Sequence, residues 1–594
     1  MRQFFITVIG TIVGLFVFMF LALLLLGGLV GAAASSSSKK TDEPTGDKVL
    51  SLDLRKPIRD HGGADSLFGV PQTSIVNVVR ALDKAKSDKN VKGLFIHARA
   101  MGMTPASAEE LRLAIIDFKT SGKFVIAHSQ GFEGTSMMGY YAVSAADEIW
   151  QQATSGFAVS GLASETPFYG GVVEHFDAKA DFAQFHEYKN AANSYTQKDY
   201  TAAHRESTTS LLTSLYDTAA TQIAESRGLD ITNLKDLLDN APYSAEKAQE
   251  AGLIDKLGYL QEVRKYIGDK TDNEDIPFQN ITSYMTSGVN SGPVIAFIGG
   301  EGPVMMGRSQ DGSNPFRSAV TMGGDTVTKA IDAAIKDKRV KAIIFRVSTP
   351  GGSATASDQI NAAIIRAKEA GKPVIISMGQ YAASGGYYVS AHADKIIALP
   401  TTITGSIGVL GGKISLENAY SKIGYNVERI AIGGDYLGVY SGDTAFSNAQ
   451  RDKFYSQMND IYDDFTQLVA EGRELPIETV REIAKGRVWT GAQALDIGLV
   501  DELGGMMRAI EIAKDMADID ADKKIYLKTF PRPKPFAEKL QEQLSGVASL
   551  SSDLETLREI ATLPEVQAAI KARETLELRE NGVLTADIPE IATR

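Results

Sequence analysis

The sequence predicts an α/β protein in which two tandem βαβ domains follow an N-terminal transmembrane helix. Three observations lead to this prediction: a long uncharged apolar segment at the start, an internal repeat, and an alternation of strand and helix patterns within each repeat. The chain has 594 residues, more than one hydrophobic core usually serves, so at least two domains are expected. Hydrophobic residues make up 44% and charged residues 23%, which is typical of a globular protein.

The apolar segment at residues 4–34 carries no charged side chain and exceeds the roughly 20 residues that span a bilayer. Residues 32–34, all alanine, also resemble the cleavage site of a signal peptide. The apolar run is, however, longer than the roughly 7–15-residue core of such a peptide. We therefore predict an anchor and tether over residues 1–46, in contact with lipid through residues 4–34. The positive charge before the apolar segment, at Arg2 and the amino terminus, nearly equals that of the lysines at 39 and 40 after it. Charge alone therefore does not set the orientation.

The internal repeat extends across most of the remaining chain. Residues 87–98 match residues 336–347 at a constant offset, and each segment has the pattern of a helix end followed by a buried strand. Near the end of each copy, residues 245–258 match residues 491–504. Several matches in the same order indicate a duplicated domain.

Strand and helix patterns alternate within each copy. In the second copy, β-rich runs at residues 342–347 and 374–378 flank a helical pattern at residues 359–368. This alternation predicts βαβ units with a mainly parallel sheet.

The copies are separated by an acidic, polar stretch at residues 269–292, which we take as the boundary. The predicted domains cover residues 47–290 and 291–530. A charged extension with helical composition follows over residues 531–594.

Composition excludes several classes of function. The net charge of -12 offers no basic surface for a nucleic-acid backbone, so nucleic acid is not an expected partner. The chain contains no cysteine, which excludes disulfides and thiolate catalysis. It also lacks a His-Glu-x-x-His motif or an acidic cluster with ligand spacing, so we expect neither a metal nor another cofactor.

Differences between the two copies indicate where chemistry is located. In the second copy, Gly351 and Gly352 follow a strand and precede a helix, whereas the first copy has no glycine pair there. Glycines at this point let backbone amides point outward and stabilise an oxyanion. A simple strand-to-helix turn is the alternative interpretation.

A second difference is Ser384, predicted to lie between a strand end and a helix start, where the first copy has Met137. A hydroxyl at a helix N-terminus lies in a positive field, and the Gly385 amide can join that of Gly352 in an oxyanion hole. The alternative is that Ser384 is merely an N-cap.

A serine nucleophile needs a base, and histidine is scarce. The second copy has only His392, which is eight residues from Ser384 and therefore roughly 12 Å away along a helix. A lysine kept neutral by burial is another known solution. Composition does not single one lysine out.

Three segments together resemble the signal peptide peptidase A (protease IV) family in its long tandem form: "STPGGSATAS", "MGQYAASGGYYVSAHADKIIALPTTITGSIGV" and "HEYKNAANSYT". The resemblance implies Ser384 as nucleophile, Lys189 in Tyr-Lys-Asn-Ala as general base, and Ser406 as the residue that orients the lysine. It also implies Gly352 and Gly385 as the oxyanion hole, with Gly351 as a further candidate.

The same resemblance implies a Clp/crotonase-like fold and a serine endopeptidase that degrades remnant signal peptides and other hydrophobic peptides. It further implies a single-pass protein of the inner membrane, with catalytic domains facing the periplasm, assembled as a homo-oligomer, specifically a tetramer. A crotonase-like acyl-CoA enzyme and a non-catalytic membrane scaffold are the alternatives. The sequence does not show whether Ser384 meets Lys189 of its own chain or of a neighbour.

Overall fold

The computed structural model describes residues 46–61, 73–98, 103–134, 136–285, 291–312, 319–532 and 591–592. The predicted anchor at residues 4–34 and nearly all of the predicted C-terminal extension lie outside the described residues. Among the residues that are described, no helix combines the length and hydropathy needed to cross a membrane.

The strands of the first half are β1 (Lys48–Asp53), β2 (Ile58–Arg59), β3 (Thr73–Ser74), β4 (Val91–His97), β5 (Phe124–Ser129), β6 (Glu148–Gln151), β7 (Gly156–Phe157), β8 (Ala163–Ser164), β9 (Lys179–Phe185), β10 (Tyr243–Ser244), β11 (Lys256–Leu257) and β12 (Phe278–Asn280). Six of them form one sheet with the order β11-β6-β5-β4-β1-β12, in which all neighbours are parallel. The helices of the first half are α1 (Ile75–Ser87), α2 (Pro105–Lys119), α3 (Met137–Val143), α4 (Gly170–His175), α5 (Asn193–Thr196), α6 (Ala202–Arg227), α7 (Ile231–Asp239), α8 (Ala245–Glu250), α9 (Leu260–Lys270) and α10 (Ile281–Met285), with a 3-10 turn at Asn190–Ala192.

The second half repeats this arrangement in an eight-stranded sheet with the order β22-β20-β18-β17-β13-β24, while β19 pairs with β18 and β23. Its strands are β13 (Val294–Glu301), β14 (Val304–Met305), β15 (Gln310–Asp311), β16 (Val320–Gly323), β17 (Val340–Thr349), β18 (Val374–Ala383), β19 (Lys395–Ala398), β20 (Ile403–Gly405), β21 (Val409–Ser415), β22 (Val488–Thr490), β23 (Glu502–Leu503) and β24 (Tyr526–Phe530). Its helices are α11 (Gly324–Lys336), α12 (Ala354–Glu369), α13 (Gly385–Ser390), α14 (Glu417–Lys422), α15 (Asn448–Arg473), α16 (Ile477–Ile483), α17 (Gly491–Asp496) and α18 (Met506–Met516). A short strand, β25 (Ile591–Ala592), pairs with β8.

The predicted α/β class is confirmed by these two sheets, which share one connectivity. Strands β1, β4, β5 and β6 of the first sheet correspond in order to β13, β17, β18 and β19 of the second. The central strand β17 is buried at every position except Lys341, as expected for a parallel strand covered by helices on both faces. Helix α12 begins beyond β17, where the Ser353 hydroxyl accepts a hydrogen bond from the Ala356 amide at 3.3 Å.

The two halves are joined through a shared hydrophobic core and a buried ion cluster. Side chains from α1 and α2 of the first half pack in one cluster with Ile344, Ile375 and residues of α18. At this contact Arg346 is completely buried and forms ion pairs with Asp60 and Glu110, both at 2.6 Å.

A second joint between the halves is an antiparallel strand pair. Strand β9 of the first half pairs with β21 of the second, from Phe185 opposite Val409 to Lys179 opposite Ser415. The chain leaves β9 beside the second sheet, so the residues that follow β9 approach the ends of β18 and β20.

The polar stretch predicted to separate the copies also carries regular structure. Residues 269–292 contain the end of α9, the edge strand β12 and helix α10. A three-residue edge strand contacts a neighbour on one side only, so it tolerates polar residues that a central strand would not.

Candidate active site

The turn that carries Ser384 lies at the carboxyl end of the central strand β18. The strand ends at Ala383 and α13 begins at Gly385, which leaves Ser384 between them with φ 53° and ψ -116°. A positive φ is unusual for a residue with a side chain and marks local backbone strain. The Ser384 amide donates a hydrogen bond to the Gly405 carbonyl at 2.8 Å, which holds the turn against β20.

The N-cap interpretation of Ser384 does not match its contacts. Although Ser384 stands at the N-cap position of α13, its hydroxyl accepts no hydrogen bond from the helix. In the first half, by contrast, Ser136 caps α3 in the usual way, accepting from the Gly139 amide at 3.1 Å. The Ser384 hydroxyl is therefore available for another partner.

That partner is Lys189, which lies just beyond β9 and is completely buried. Its Nζ is 2.9 Å from Ser384 Oγ, 2.9 Å from the Ser406 carbonyl oxygen and 3.0 Å from Ser406 Oγ. All three contacts lie within one chain. The structure thus brings together Ser384, Lys189 and Ser406, which come from three separated segments.

Burial controls the protonation of this lysine. Removal of the amine from water lowers the pKa of Lys189 from 10.5 to about 7, and no neighbouring charge contributes to the shift. Desolvation disfavours the charged form of an amine, so a large fraction of Lys189 is neutral at neutral pH.

Ser406 lies in the turn after β20 and also has a positive φ, 50°. Its amide donates to the Arg487 carbonyl oxygen at 2.6 Å. Because this bond fixes the turn from behind, both oxygens of Ser406 face the Lys189 amine.

The glycine pair lies directly against the turn that carries Ser384. A Cβ on Gly351 would lie 2.7 Å from Ser384 Cβ, and one on Gly385 would lie 3.1 Å from the Gly352 nitrogen. The turn is held from its other side by Val304, whose amide donates to the Gly351 carbonyl at 2.8 Å. Only residues without a side chain allow these backbones to approach so closely.

The two amides predicted for an oxyanion hole are free to donate. In the part of the chain that is described, neither the Gly352 nor the Gly385 amide donates a hydrogen bond. The Gly351 amide differs, since it donates to Thr349 Oγ1 at 3.1 Å. Gly351 therefore shapes the turn, and its amide is already occupied.

His392 lies outside this constellation, as its spacing from Ser384 predicts. Its Nδ1 is 3.1 Å from Asn361 Oδ1, and burial lowers its pKa.

Residues 485–487 contact both halves of the site and were not predicted from the sequence. A usable signal was present. Gly486 and Arg487 precede β22, whereas the first copy has Asn240 and Ala241 before the corresponding strand β10. The comparison of copies that singled out Ser384 would also have found this difference.

Comparison with known proteins decides the family. The profile of Peptidase family S49 matches residues 117–272 and again residues 366–520. The chain belongs to peptidase family S49. The double match follows the internal repeat and confirms the resemblance to signal peptide peptidase A in its long tandem form.

Relatives in this family align along most of the chain. The chloroplastic serine protease SPPA of Arabidopsis thaliana is 30% identical over 84% of this chain and 73% of its own length. Protease 4 of Salmonella typhi is 30% identical over 80% of this chain and 79% of its own length. Protease 4 of Haemophilus influenzae is 28% identical over 75% of this chain and 73% of its own length. The chain is therefore a serine peptidase, a hydrolase of peptide bonds.

A solved structure, a mutant of ClpP1 from Listeria monocytogenes, matches 37% of this chain and 94% of its own at 14% identity, with a TM-score of 0.23. A similarity at this level carries no argument about the fold, so the Clp/crotonase-like assignment stays a prediction.

Proposed function

We propose that this family S49 peptidase is a membrane-anchored endopeptidase in which Ser384 is the nucleophile and Lys189 the general base. The observation that carries the proposal is the 2.9 Å contact between Lys189 Nζ and Ser384 Oγ, made by an amine that is wholly removed from solvent.

The geometry suits a neutral amine acting as a base. Neutral lysine has two N–H groups and one lone pair. The carbonyl oxygen of Ser406 can only accept, so it takes one N–H, and Ser406 Oγ takes the other. The lone pair is then directed at the Ser384 hydroxyl, whose proton it can remove.

The reaction then follows the usual course of acyl transfer. Ser384 Oγ attacks the peptide carbonyl carbon as its proton passes to Lys189 Nζ, and the resulting oxyanion receives the Gly352 and Gly385 amides. The C–N bond breaks as Lys189 returns the proton to the leaving amine. Water, deprotonated by the same lysine, hydrolyses the acyl-enzyme and restores Ser384.

The proposed substrates are remnant signal peptides and other hydrophobic peptides, as the family resemblance implies. Residues 4–34 would hold the enzyme in the inner membrane, with both catalytic domains on the periplasmic side. The proposal includes the Clp/crotonase-like assignment of the domains at residues 47–290 and 291–530, which is supported by the repeated sheet connectivity.

Homo-oligomerisation, with a tetramer as the specific assembly, is also part of the proposal and is supported by the repeat. Residues 426–432 follow α14 just as β9 follows α4, yet Ile430 and Ile432 are 95% and 93% exposed. The counterpart of Ile430 in β9 is Ala183, which is fully buried beside β21. Two isoleucines left exposed where the other copy pairs indicate a contact with another subunit. Light scattering of wild type and of Ile430→Glu tests this: the variant should dissociate, and an unchanged mass would contradict the contact.

The catalytic assignment is tested with Ser384→Ala and Lys189→Ala in the purified full chain. Each should abolish hydrolysis of a fluorogenic hydrophobic peptide, and Ser384→Ala should also lose labelling by a fluorophosphonate probe. Ser421→Ala and Lys198→Ala, both at exposed positions, are the matched controls and should keep activity. Normal turnover by either active-site variant refutes the proposal. If the wild-type chain forms no covalent adduct with the probe, the result would favour a non-catalytic membrane scaffold. If coenzyme A stabilises the chain, the result would favour a crotonase-like acyl-CoA enzyme.

A further inference from the structure

A short backbone segment at residues 485–487, here called the bridging segment, lies between the two halves of the site. It connects α16 to β22 in the second half. Its Lys485 carbonyl accepts a hydrogen bond from the Tyr188 amide at 3.2 Å, while its Arg487 carbonyl accepts one from the Ser406 amide at 2.6 Å. The bridging segment thus binds both the loop that carries Lys189 and the turn that carries Ser406.

The bridging segment also packs directly on the backbone of the general base. Gly486 has φ 80°, and a Cβ placed on it would lie 2.5 Å from Lys189 Cβ and 2.6 Å from Lys189 Cα. Its amide donates to the Ile407 carbonyl at 2.8 Å. This close contact covers one side of Lys189 and excludes water there.

The side chain of Arg487 holds the bridging segment to the first half of the chain. Its guanidinium lies 4.9 Å from the ring centre of Tyr188 and 4.4 Å from that of Trp489. It also makes a two-pronged ion pair with Glu206 on α6, at 2.7 and 2.8 Å. Such a planar pair fixes orientation as well as distance.

These contacts favour positioning over general stability. The Glu206 side chain is 49% exposed and that of Arg487 is 16% exposed, so the ion pair lies at the edge of solvent and adds less to folding than a buried pair would. The stacked residue Tyr188, however, immediately precedes Lys189. The first half has Asn240 and Ala241 at the corresponding place, and it has no lysine–serine pair to align.

We propose that Arg487 is a positioning residue for the proposed base: by stacking on Tyr188 and pairing with Glu206, it holds the bridging segment against Lys189 and keeps the amine dry and aimed at Ser384. This inference rests on the proposed function, because it assigns a role only if Lys189 is the base.

Other ionisable groups near the segment have contacts of their own, and none contributes to the lowered pKa of Lys189. Lys485 pairs with Glu187 at 3.8 Å, and the His186 ring packs against Tyr462 at 4.8 Å. Burial is the cause of the lowered pKa of Lys189. Loosening the cover should therefore admit water and raise that pKa, whereas removing a distant charge should not.

The experiment measures peptide kcat and KM, and the rate of fluorophosphonate labelling, from pH 5.5 to 9.5 in the full chain. Arg487→Gln should lower kcat at pH 7 at least fivefold with KM within about twofold, and should move the acidic limb of the profile upward by about one pH unit. Activity should partly recover at pH 9, and Arg487→Lys should fall between the two. Arg481→Gln, which removes an exposed arginine of α16 paired with Asp463, is the control and should match wild type.

A folded Arg487→Gln with the wild-type profile overturns the inference, as does a loss of activity that is equal at every pH. If Arg487→Gln does not fold, Glu206→Gln tests the same link by removing only the ion pair, with a smaller upward shift expected and no shift counting against the inference. Lys189→Ala separates this outcome from failure of the proposed function. If the Lys189→Ala variant is active, Lys189 is not the base and the proposed function itself fails. If Lys189→Ala is inactive while Arg487→Gln behaves like wild type, only the positioning role of Arg487 is refuted.

Discussion

The acidic limb of the pH–rate profile should report the protonation of Lys189. An exposed lysine with a pKa of about 10.4 is neutral in roughly 0.04% of molecules at pH 7. Burial lowers the pKa of Lys189 to about 7, so about half of the molecules hold the free base at that pH. The neutral fraction is thereby raised by about three orders of magnitude, equivalent to about 4 kcal/mol. Reactivity should rise with pH through a midpoint near 7 and should fall about tenfold for each pH unit well below it.

Fluorophosphonate labelling of the full chain, followed from pH 5 to 9.5, is the direct assay, because the reaction requires only deprotonation of Ser384. The kcat/KM of a peptide substrate should show the same acidic limb. Lys198→Ala, an exposed lysine change in the same region, should leave the midpoint in place, while Lys189→Ala should remove the reaction at every pH. A midpoint near 10, or a rate that does not change with pH in this range, would refute the argument that a dehydrated amine is the base.

Three further outcomes follow from the structure. Lys189→Met should abolish activity yet raise the unfolding temperature at pH 6 to 7. Because burial lowers the pKa of Lys189 in the folded state, the cost of burying its charge is fully present below pH 7 and fades as pH rises toward 10.5. The rise in unfolding temperature should therefore shrink at higher pH. Gly351→Ala should reduce kcat by about 100-fold without unfolding the chain, since the added methyl would meet Ser384 Cβ; activity within twofold of wild type would contradict that contact. Arg346→Met should destabilise the protein by about 3 to 5 kcal/mol in chemical unfolding, because two buried carboxylates lose their partner, whereas Arg366→Met, at an exposed ion pair, should change it by less than about 1 kcal/mol.

The sequence predicted the elements that depend on local pattern. Strand runs at residues 342–347 and 374–378 lie inside β17 and β18, and the helical pattern at residues 359–368 lies inside α12. Ser384 stands between a strand and a helix as expected, because small residues and hydrophobic periodicity report local geometry. The duplication strengthened the prediction of strands and helices, because the same pattern occurs in both copies.

The pairing of the two halves was beyond such patterns. Strand β9 contacts β21 across more than two hundred residues of chain, and nothing in either segment specifies the other. Burial of Lys189 follows from that pairing and from Gly486, so composition gave no reason to choose it among 61 lysines and arginines. Its selection depended on the family resemblance.

The strained conformation of Ser384 was equally hidden. A serine before a helix is ordinarily a cap, and only the backbone angles and the missing helix contact show otherwise. Local rules fail at this position because the turn is held by distant groups, among them the Gly405 carbonyl. Such failures are expected where function opposes local preference.

The division of the site between two halves also bears on how the protein is made. Lys189 precedes Ser384 by 195 positions, which at 5–20 residues per second corresponds to roughly 10 to 40 s of synthesis. A nascent or truncated chain that ends before Ser384 carries the amine without its hydroxyl partner. The contact between Lys189 and Ser384 therefore forms only after both halves have been synthesised and have docked.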